Sequence, residues 1–318
     1  MIKNSMQKES RIYVAGHMGM VGSAIVHELK SQGFGRLILR TRKELDLLNQ
    51  KAVQDFFNDE KPDYVFLAAA KVGGFQAIMT CPAEFLFENL QMQNNIIWTA
   101  HEAGVKKLLF LGSSCIYPNN CHQPMREEYL MEGKVDSTSE SYAVAKIAGI
   151  ELCRFISQQY GKNFISCAPT NIYGENDSFD IRSSRIVASL IKKFHEAKVA
   201  NKSEVTVFGT GKARREFLCV KDLARACIFL MQNFNYTDDL YFVNVGTGED
   251  ITIKELANLI KSITGYKGKI IWDITKPDGM PQKLLDVDKI NRLGWKSSVK
   301  LFDGLGAMYE WYKNFIKF

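Results

Sequence analysis

The clearest indication of the fold is the segment Tyr13-Val14-Ala15-Gly16-His17-Met18-Gly19-Met20-Val21-Gly22. Its apolar start predicts a buried strand, and the residues after the last glycine predict a helix. The glycines are spaced G-x-x-G-x-x-G, a variant of the dinucleotide-binding fingerprint. Gly16 permits a positive φ at the turn, Gly19 would let a pyrophosphate approach the backbone, and Gly22 would let the helix pack closely on the sheet. The free N–H groups at the start of the helix would then hold the phosphates.

Strands and helices alternate along the first half of the chain. The strands are predicted at 11–15, 36–40, 63–68, 107–111 and 163–168, and the helices between them at 21–32, 51–58, 83–103 and 141–160. Short apolar strands separated by helices indicate parallel βαβ units. We therefore expect an α/β fold with a Rossmann-type, doubly wound parallel sheet.

The pattern changes after Pro169, where the loops lengthen and the alternation ends. Strands are predicted at 205–208, 241–245 and 269–272, and helices at 185–197, 222–232, 253–264 and 301–315. We expect residues 1–170 to form a dinucleotide-binding domain and residues 171–318 to form a smaller domain, mainly for the substrate. Some segments of the second part are expected to return to the first domain.

The composition is that of an ordinary globular protein. Of the 318 residues, 46% are hydrophobic and 24% are charged, and the net charge is +6. The positive charges form no basic run, so they favour a small anionic ligand over a nucleic acid. The apolar stretch 64–70 is far too short to span a bilayer, and the polar stretch 1–10 has no apolar core like that of a secretory signal. We therefore expect a cytoplasmic protein that binds neither nucleic acid nor membrane.

The cysteines do not form a metal or disulfide pattern. There are seven of them, an odd number, and no pair has C-x-x-C spacing. Zinc ribbons and disulfide scaffolds are therefore not expected, and no metal site is predicted. Most of these cysteines are expected to be small buried side chains in a reducing compartment.

The end of the second predicted strand bears on the choice of dinucleotide. It carries no Asp or Glu and ends in Arg40-Thr41-Arg42. An acidic residue there would bind the free ribose of NAD, whereas arginines suit the extra phosphate of NADP. The sequence therefore favours NADPH over NADH as the cofactor. The alternative interpretation is an ordinary solvated basic loop.

A tyrosine and a lysine lie one helical turn apart. They are Tyr142 and Lys146, at i and i+4 of one predicted helix. A nearby ammonium favours tyrosinate, so we expect the pKa of Tyr142 to be lowered. The fourth predicted strand ends in Gly112-Ser113-Ser114-Cys115, and the hydroxyl of Ser113 would face the same crevice. A glycine loop, a strand-end serine and Y-x-x-x-K, in this order, favour a catalytic site over a surface Tyr–Lys pair beside a serine turn.

These motifs resemble those of the GDP-L-fucose synthase family, a branch of the extended short-chain dehydrogenases/reductases. The resemblance covers nearly the whole chain. The matching stretches are 15–24, 39–48, LAAAKVGG at 67–74, LLFLGSSCIYP at 108–118, YAVAKIAG at 142–149, PTNIYG at 169–174, REFL at 215–218, NVGTG at 244–248 and KPDGMPQKLLD at 276–286. The resemblance implies reduction of a GDP-4-keto sugar by NADPH. It also implies a homodimer formed through the helices predicted at 83–103 and 141–160.

The resemblance implies a role for each matching residue. Tyr142 would protonate the C4 oxygen of the sugar, Ser113 would hydrogen-bond to that oxygen, and Lys146 would tune Tyr142 and bind the nicotinamide ribose. The cofactor site would comprise Gly16, Met18, Gly19, Met20, Val21, Gly22, Arg40, Arg42, Asp46, Leu47, Ala69, Tyr142, Lys146, Pro169, Asn171 and Ile172. The substrate site would comprise Ser114, Cys115, Asn171, Arg185, Lys193, Phe208, Arg215, Asp278 and Lys283.

One substitution departs from the family pattern at a reacting position. The family uses a Cys and a His as the acid/base pair of its epimerase step, and Cys115 matches the Cys. Aligning 171–174 with the family's N-x-Y-G and 194–197 with its F-H-E-A places Arg185 at the His position without a gap. His can exchange a proton near neutral pH, whereas Arg stays protonated. We therefore expect 4-keto reduction without epimerisation.

Three hypotheses remain from the sequence. The leading one is an NADPH-dependent C4-reductase of a GDP-4-keto sugar, a heptose or a related sugar, that serves the synthesis of surface polysaccharide. The second is a bifunctional 3,5-epimerase/4-reductase in which another residue replaces the His. The third is a non-catalytic dinucleotide-binding sensor, against which the presence of Ser113, Tyr142 and Lys146 argues. Met18 stands where fucose synthases commonly have Arg, which leaves the strictness of the NADP preference open.

Overall fold

A six-stranded parallel sheet forms the centre of the N-terminal half of the molecule. The computed structural model describes residues 6–180, 184–276 and 278–315. The strands of this sheet are β1 (Ile12–Ala15), β2 (Leu37–Ile38), β3 (Tyr64–Leu67), β4 (Lys107–Leu111), β5 (Asn163–Pro169) and β9 (Phe242–Val245). Their order is β2-β1-β3-β4-β5-β9, and all neighbouring strands run parallel.

Helices cover both faces of this sheet. Helices α1 (Met20–Ser31) and α7 (Val220–Asn233) pack on one face, and α2 (Gln50–Glu60), α4 (Pro82–Glu102) and α5 (Glu140–Tyr160) pack on the other. Successive residues of β1 point to opposite faces, so Ile12 and Val14 join the first core, whereas Tyr13 and Ala15 join the second. Strands buried on both faces require continuous apolar runs. The predicted α/β fold with a Rossmann-type, doubly wound sheet is confirmed.

The strand order reverses between β1 and β3. The chain places β2 on one side of β1 and then crosses to place β3 on the other side. At such a point the loops after the two strands diverge and leave a crevice at the carboxyl edge of the sheet. The glycine loop after β1, Ala69 after β3 and Ser113 after β4 all lie at this edge.

The C-terminal half builds a second lobe from small sheets and helices. Strand β8 (Arg214–Cys219) pairs with β6 (Asn171–Tyr173), β10 (Asp250–Thr252) and β12 (Gln282–Lys283), while β7 (Glu204–Phe208) pairs with β11 (Lys269–Asp273). Helices α6 (Ile186–Val199), α8 (Ile253–Thr264) and α10 (Leu301–Phe315) share an apolar core with these sheets. Two further short helices are α3 (Phe75–Thr80), before α4, and α9 (Asp288–Leu293), after β12.

The sequence did not predict β6, β8, β10, β12, α3 or α9, and β2 is shorter than predicted. The missed strands pair across long distances in the chain, since Arg215 of β8 lies opposite Ile251 of β10 and Lys283 of β12. Strands of two to six residues carry too little alternation to be recognised from their own pattern. Arg215 was recognised as a motif residue, but its strand was not.

A buried carboxylate ties the segments of the second lobe to the large sheet. Glu216 is fully buried on β8, and burial raises the pKa of its carboxyl. One oxygen accepts hydrogen bonds from the amides of Thr247 and Gly248 at 2.6 and 2.8 Å, after β9, and the other accepts from the amide of Leu285 at 3.0 Å, after β12. Its neighbour Arg215 is thereby placed relative to both lobes.

Three observations concern membrane-spanning helices, metal-binding groups and the cysteines. Within residues 6–180, 184–276 and 278–315, no helix is both long enough and apolar enough to cross a membrane. The same part of the chain holds no group of three or more His, Cys, Asp or Glu residues placed to bind a metal ion. All seven cysteines are free thiols.

Candidate active site

The three glycines of the turn after β1 and of the first turn of α1 have different surroundings. Gly16 has a φ of +82°, and a Cβ there would lie 2.7 Å from the backbone of Ala69. A Cβ on Gly22 would lie 2.1 Å from the carbonyl oxygen of Gly16. At Gly19, however, the φ is −75°, and the nearest atom to an added Cβ is 3.5 Å away. The backbone therefore requires Gly16 and Gly22, whereas Gly19 leaves open surface that fits a pyrophosphate group.

The first turn of α1 can supply donors to that surface. The first hydrogen bond of the helix runs from the amide of Ser23 to the carbonyl of Gly19 at 2.9 Å. The preceding amides, those of Met20, Val21 and Gly22, belong to the turn whose N–H groups have no acceptor within the helix. Such a helix start attracts anions. The predicted phosphate-binding residues thus lie together at the carboxyl edge of the sheet.

The basic residues after β2 differ in what they contact. Arg40 forms an ion pair with Glu60, on α2, and also donates to the carbonyl of Leu39 at 2.9 Å. Arg42 has a side chain that is 75% exposed and lies 4.0 Å from the carboxylate of Asp46. Arg42 presents its charge to solvent, whereas Arg40 shares its charge with a carboxylate. Of the two predicted phosphate contacts, Arg42 is therefore the better placed.

Other predicted cofactor residues have structural partners. The carbonyl of Leu47 accepts a hydrogen bond from Asn95 of α4 at 2.8 Å, and Met18 is 69% exposed in the glycine loop. The side chain of Asn171 donates to the carbonyl of Glu216 at 2.9 Å. Ile172 packs on the core shared with α1 and α7. Pro169 ends β5, at the same edge as the glycine loop.

The predicted serine, tyrosine and lysine meet at the end of β4. Ser113 precedes a single 3-10 turn, Ser114–Ile116, and its Oγ accepts a hydrogen bond from the amide of Cys115 at 3.3 Å. The Nζ of Lys146 donates to the carbonyl of Leu111, the last residue of β4, at 2.8 Å and lies 5.7 Å from the ring centroid of Tyr142. Helix α5 is thus joined to the strand end that carries Ser113.

The electrostatics of Tyr142 differ from the sequence expectation. Burial raises the pKa of Tyr142 well above its usual range, the neighbouring Cys115 raises it further, and the charge of Arg185 lowers it. Burial lowers the pKa of Lys146 to about 8. The expected lowering of the Tyr142 pKa by Lys146 is therefore wrong for the groups of the chain itself, because burial dominates and the ammonium binds a backbone carbonyl. Tyr142 keeps its proton at neutral pH, as a proton donor must.

Arg185 lies at the edge of the same site. It is the residue before the first turn of α6, and its Nη2 lies 2.8 Å from Oδ1 of Asp177 and 3.8 Å from Sδ of Met20. Because both Cys115 and Arg185 act on the pKa of Tyr142, the three groups share one electrostatic environment. Asp177 was not predicted, since one aspartate in a polar loop has no distinguishing pattern.

The predicted substrate residues of the second lobe form two connected groups. Arg215 donates to the carbonyl of Asp278 at 3.3 Å, and the carboxylate of Asp278 accepts from the amide and hydroxyl of Thr210 at 2.7 and 2.5 Å. Lys193 lies 4.9 Å from the ring centroid of Phe208, a ring that is 52% exposed. An exposed ring flanked by a cation is a suitable surface for a nucleotide base.

Two further residues link these groups to the catalytic end. The Nζ of Lys283 lies 3.5 Å from the carboxylate of Asp136, just before α5. Burial lowers the pKa of Arg215, while Asp136, Asp278 and Cys115 all raise it. The charges of the second lobe therefore reach the catalytic helix.

Ser114 is buried beside Cys115. Asp136, Thr210 and Lys276, which lies 6.0 Å from the Phe208 ring centroid, were not predicted.

A dinucleotide-binding sheet with a serine, tyrosine and lysine at its carboxyl edge defines a short-chain dehydrogenase/reductase type of oxidoreductase. Comparison with known proteins narrows this class. The family model described as the NAD dependent epimerase/dehydratase family matches residues 12–246. The chain is 53% identical to the putative GDP-L-fucose synthase 2 of Arabidopsis thaliana over 307 residues, which cover 96% of this chain and 93% of that protein.

Two solved structures are similar over almost their whole length. A GDP-6-OMe-4-keto-L-xylo-heptose reductase from C. jejuni is 41% identical, with a TM-score of 0.94 and coverage of 98% of this chain and 99% of that one. A GDP-mannoheptose C4 reductase from Campylobacter jejuni with NADP bound is 41% identical, with a TM-score of 0.89 and coverage of 97% and 99%. The chain belongs to the NAD dependent epimerase/dehydratase family and, within it, to the GDP-L-fucose synthase family of oxidoreductases.

Proposed function

We propose that the chain is an NADPH-dependent C4-reductase of a GDP-4-keto sugar, a heptose or a closely related sugar, without epimerase activity. The observation that carries the proposal is Arg185, a cation bound to Asp177 at 2.8 Å, in the environment of Tyr142 and Cys115. The C4 reductase with NADP bound and the heptose reductase support both the reaction and the sugar. The product would enter surface-polysaccharide synthesis, from a reaction in the cytoplasm.

The residues that would hold the cofactor are those of the glycine loop and its surroundings. The open surface at Gly19 and the amides of Met20 and Val21 would bind the pyrophosphate. Arg42 would bind the ribose phosphate, and Lys146 would bind the nicotinamide ribose. NADPH, when bound, supplies the hydride. Residues 1–170 would form this part of the enzyme, and residues 171–318 would mainly bind the GDP-sugar.

The chain supplies the proton of the reduction. Tyr142 keeps its hydroxyl proton because burial raises its pKa, and it would pass that proton to the C4 oxygen as negative charge develops there. Ser113 would donate a hydrogen bond to the same oxygen, which stabilises the charge. Lys146 would hold α5, and with it Tyr142, against the end of β4 through its hydrogen bond to the carbonyl of Leu111.

Epimerisation would require a proton-exchanging group at the position that Arg185 occupies. A proton must leave one face of the carbon and another must arrive at the opposite face. Cys115 could serve one face, but a guanidinium such as that of Arg185 does not exchange protons as an imidazole does. Arg185 would instead face the sugar as a fixed cation. Arg215, Asp278, Lys193, Phe208 and Lys283 would bind the GDP.

A second function is a bifunctional GDP-L-fucose synthase. The observation that favours it is the identity of 53% to the plant relative, compared with 41% to the heptose reductase. In that case Cys115 would work with a group other than Arg185. The two functions differ in whether the protons at C3 and C5 exchange with solvent.

Turnover in D2O separates the two functions. NADPH is supplied with GDP-4-keto-6-deoxymannose or the corresponding GDP-4-keto-heptose, with and without a separate 3,5-epimerase, and the product is analysed by NMR. The proposal expects reduction with no deuterium at C3 or C5 unless the epimerase is added. Deuterium at both carbons without it would establish the bifunctional enzyme. Absence of reduction with either sugar would refute both functions.

We also propose that the chain forms a homodimer through α4 and α5. These helices expose large apolar side chains, among them Phe87, Trp98, Val144 and Phe155, which are between 40% and 63% exposed. Exposed apolar surface of this kind marks protein interfaces. Sedimentation equilibrium tests the proposal, because a mass equal to one 36.1 kDa chain would refute it.

A further inference from the structure

Asp177 is a buried carboxylate beside the candidate active site. Its side chain is 3% exposed. Oδ1 accepts hydrogen bonds from Nη2 of Arg185 at 2.8 Å and from the amide of Ser178 at 2.9 Å. Within the described part of the chain, Oδ2 is buried without a hydrogen-bond partner. A buried carboxylate is tolerated when a cation pairs with it, and here Arg185 is that cation.

The loop that carries Asp177 is attached to both halves of the molecule. On one side, Nδ2 of Asn176 donates to Oγ of Ser23, on α1, at 3.1 Å. On the other side, the ring of Phe179 is buried and packs on Tyr312 of α10, with ring centroids 4.4 Å apart. Asp177 lies between these two anchors. Its carboxylate is therefore held at a fixed place between the two lobes.

The fixed carboxylate of Asp177 in turn holds the guanidinium of Arg185 in place. Its Nη2 lies 3.8 Å from Sδ of Met20, in the first turn of α1. Its charge lowers the pKa of Tyr142, against the effects of burial and of Cys115. The side chain is 35% exposed, so part of the guanidinium faces away from Asp177 and can contact a ligand.

We propose that Asp177 is a positioning residue that holds the guanidinium of Arg185 beside the first turn of α1, where its charge stabilises the oxygen that becomes negative during reduction. This inference rests on the proposed function, because it concerns the transition state of that reaction. The ketone is neutral in the ground state, and its oxygen gains charge only as hydride arrives. A fixed cation therefore lowers the barrier more than it strengthens substrate binding.

The kinetic test uses two variants and their combination. Asp177→Asn removes the charge that holds Arg185, and we expect kcat to fall about 10-fold while KM for the GDP-4-keto sugar stays within about twofold. Arg185→Gln should lower kcat at least as far. The double variant should match Arg185→Gln alone, because Asp177 acts through Arg185. Additive losses would overturn the proposal, as would a loss confined to KM.

The matched control removes the same charge from the same loop. Glu175 pairs with Lys221 at 2.7 Å, whereas Arg185 pairs with Asp177, so Glu175→Gln should keep the kcat of the unmodified enzyme. Thermal unfolding of each variant accompanies the kinetics. A purely structural role for Asp177 would lower the melting temperature and the active fraction together, with no split between kcat and KM per folded enzyme.

A second measurement does not depend on turnover. In protein labelled with ¹⁵N-arginine, we expect slowly exchanging guanidinium N–H signals from Arg185, assigned by their loss in Arg185→Gln. In Asp177→Asn, faster rotation and exchange of the guanidinium should merge these separate N–H signals. In Glu175→Gln, the separate signals should persist. If the unmodified protein shows no such signals, the positioning role is wrong even when the reduction is confirmed. If the signals behave as expected but no 4-keto sugar is reduced, the proposed function fails and the held guanidinium stands.

Discussion

The two sides of the candidate active site are built differently. On the cofactor side, a single loop and a single helix hold the reacting groups: Lys146, only 3% exposed, is bonded to the strand end, and Tyr142 lies one turn before it. On the substrate side, the charged residues come from separate strands and loops and contact one another, as Arg215 and Asp278 do.

This difference separates the reaction from its specificity. The geometry of Tyr142 and Lys146 follows from one α-helix packed on one strand, so it changes little as long as the sheet is intact. The substrate side depends on pairs of residues distant in sequence, and one replacement can alter what it does. Under the proposal above, Arg185 is such a case, because a proton-exchanging group would act on the sugar carbon, whereas a fixed cation would act on the oxygen.

The largest effect is expected from the cofactor side. Tyr142→Phe removes the proton donor while leaving the ring, so reduction of the 4-keto sugar should slow about 10³-fold. Binding of NADPH, measured by its fluorescence, should stay within a few-fold, since the hydroxyl is what changes. Unchanged turnover would show that another group delivers the proton, and the cofactor side would then not supply the proton donor.

How much of this arrangement the sequence predicted follows the same division. Strands β1 and β3 of the large sheet are continuous apolar runs with a helix after each, and these strands were predicted to within one residue at each end; the strand Lys107–Leu111 was predicted with the correct ends. The glycine loop and the Y-x-x-x-K spacing are local patterns, and they placed Gly19, Tyr142 and Lys146 correctly with respect to the sheet.

The second lobe could not be predicted in this way. Strand β8 is identified by its partners β6, β10 and β12, which lie up to about seventy residues away in the chain. The pairing of Arg185 with Asp177 and of Lys283 with Asp136 depends on tertiary contacts that no spacing shows. Local chemistry also misjudged the pKa of Tyr142, because the degree of burial is set by the packing of the whole fold.

The second-largest effect concerns the burial of Lys146. Its pKa is lowered to about 8 by burial, whereas the unfolded chain has the ordinary lysine value near 10.4. The unfolded state therefore binds more protons between these values, and stability should rise with pH across this window by up to ~3 kcal/mol from this group. Below about pH 8 the penalty for burying the charge is present in full.

A comparison with Lys146→Met isolates this contribution. The methionine variant lacks the titrating group, so the unfolding free energy of the unmodified protein should gain on that of the variant as the pH rises from about 7.5 to about 10. Urea unfolding at several pH values measures the difference. A constant difference across this range would show that the hydrogen bond to the Leu111 carbonyl offsets the effect of burial on the pKa of Lys146.

The third effect tests the joint between the two sides. Glu216→Gln replaces an acceptor of several backbone N–H groups by an amide that presents its own N–H to some of them, so the protein should lose about 2 kcal/mol of unfolding free energy. Glu249 is an exposed residue directly after Thr247 and Gly248, whose amides bind Glu216. The matched control Glu249→Gln should therefore change the unfolding free energy little. Equal urea midpoints for both variants would show that the substrate lobe does not depend on this carboxylate.

The smallest effect concerns how the cofactor side selects its dinucleotide. Arg42 is largely exposed and only weakly paired with Asp46, while Arg40 already shares its charge with Glu60. Arg42→Ser should therefore raise KM for NADPH about 10-fold and leave KM for NADH nearly unchanged. Arg40→Ser is the informative counterpart: a larger loss there than at Arg42 would mean that the ion pair with Glu60 opens when the phosphate binds. In that case the cofactor side, like the substrate side, would depend on ion pairs between residues distant in sequence. Only the reacting groups Tyr142 and Lys146 would then differ from the substrate side in how they are held.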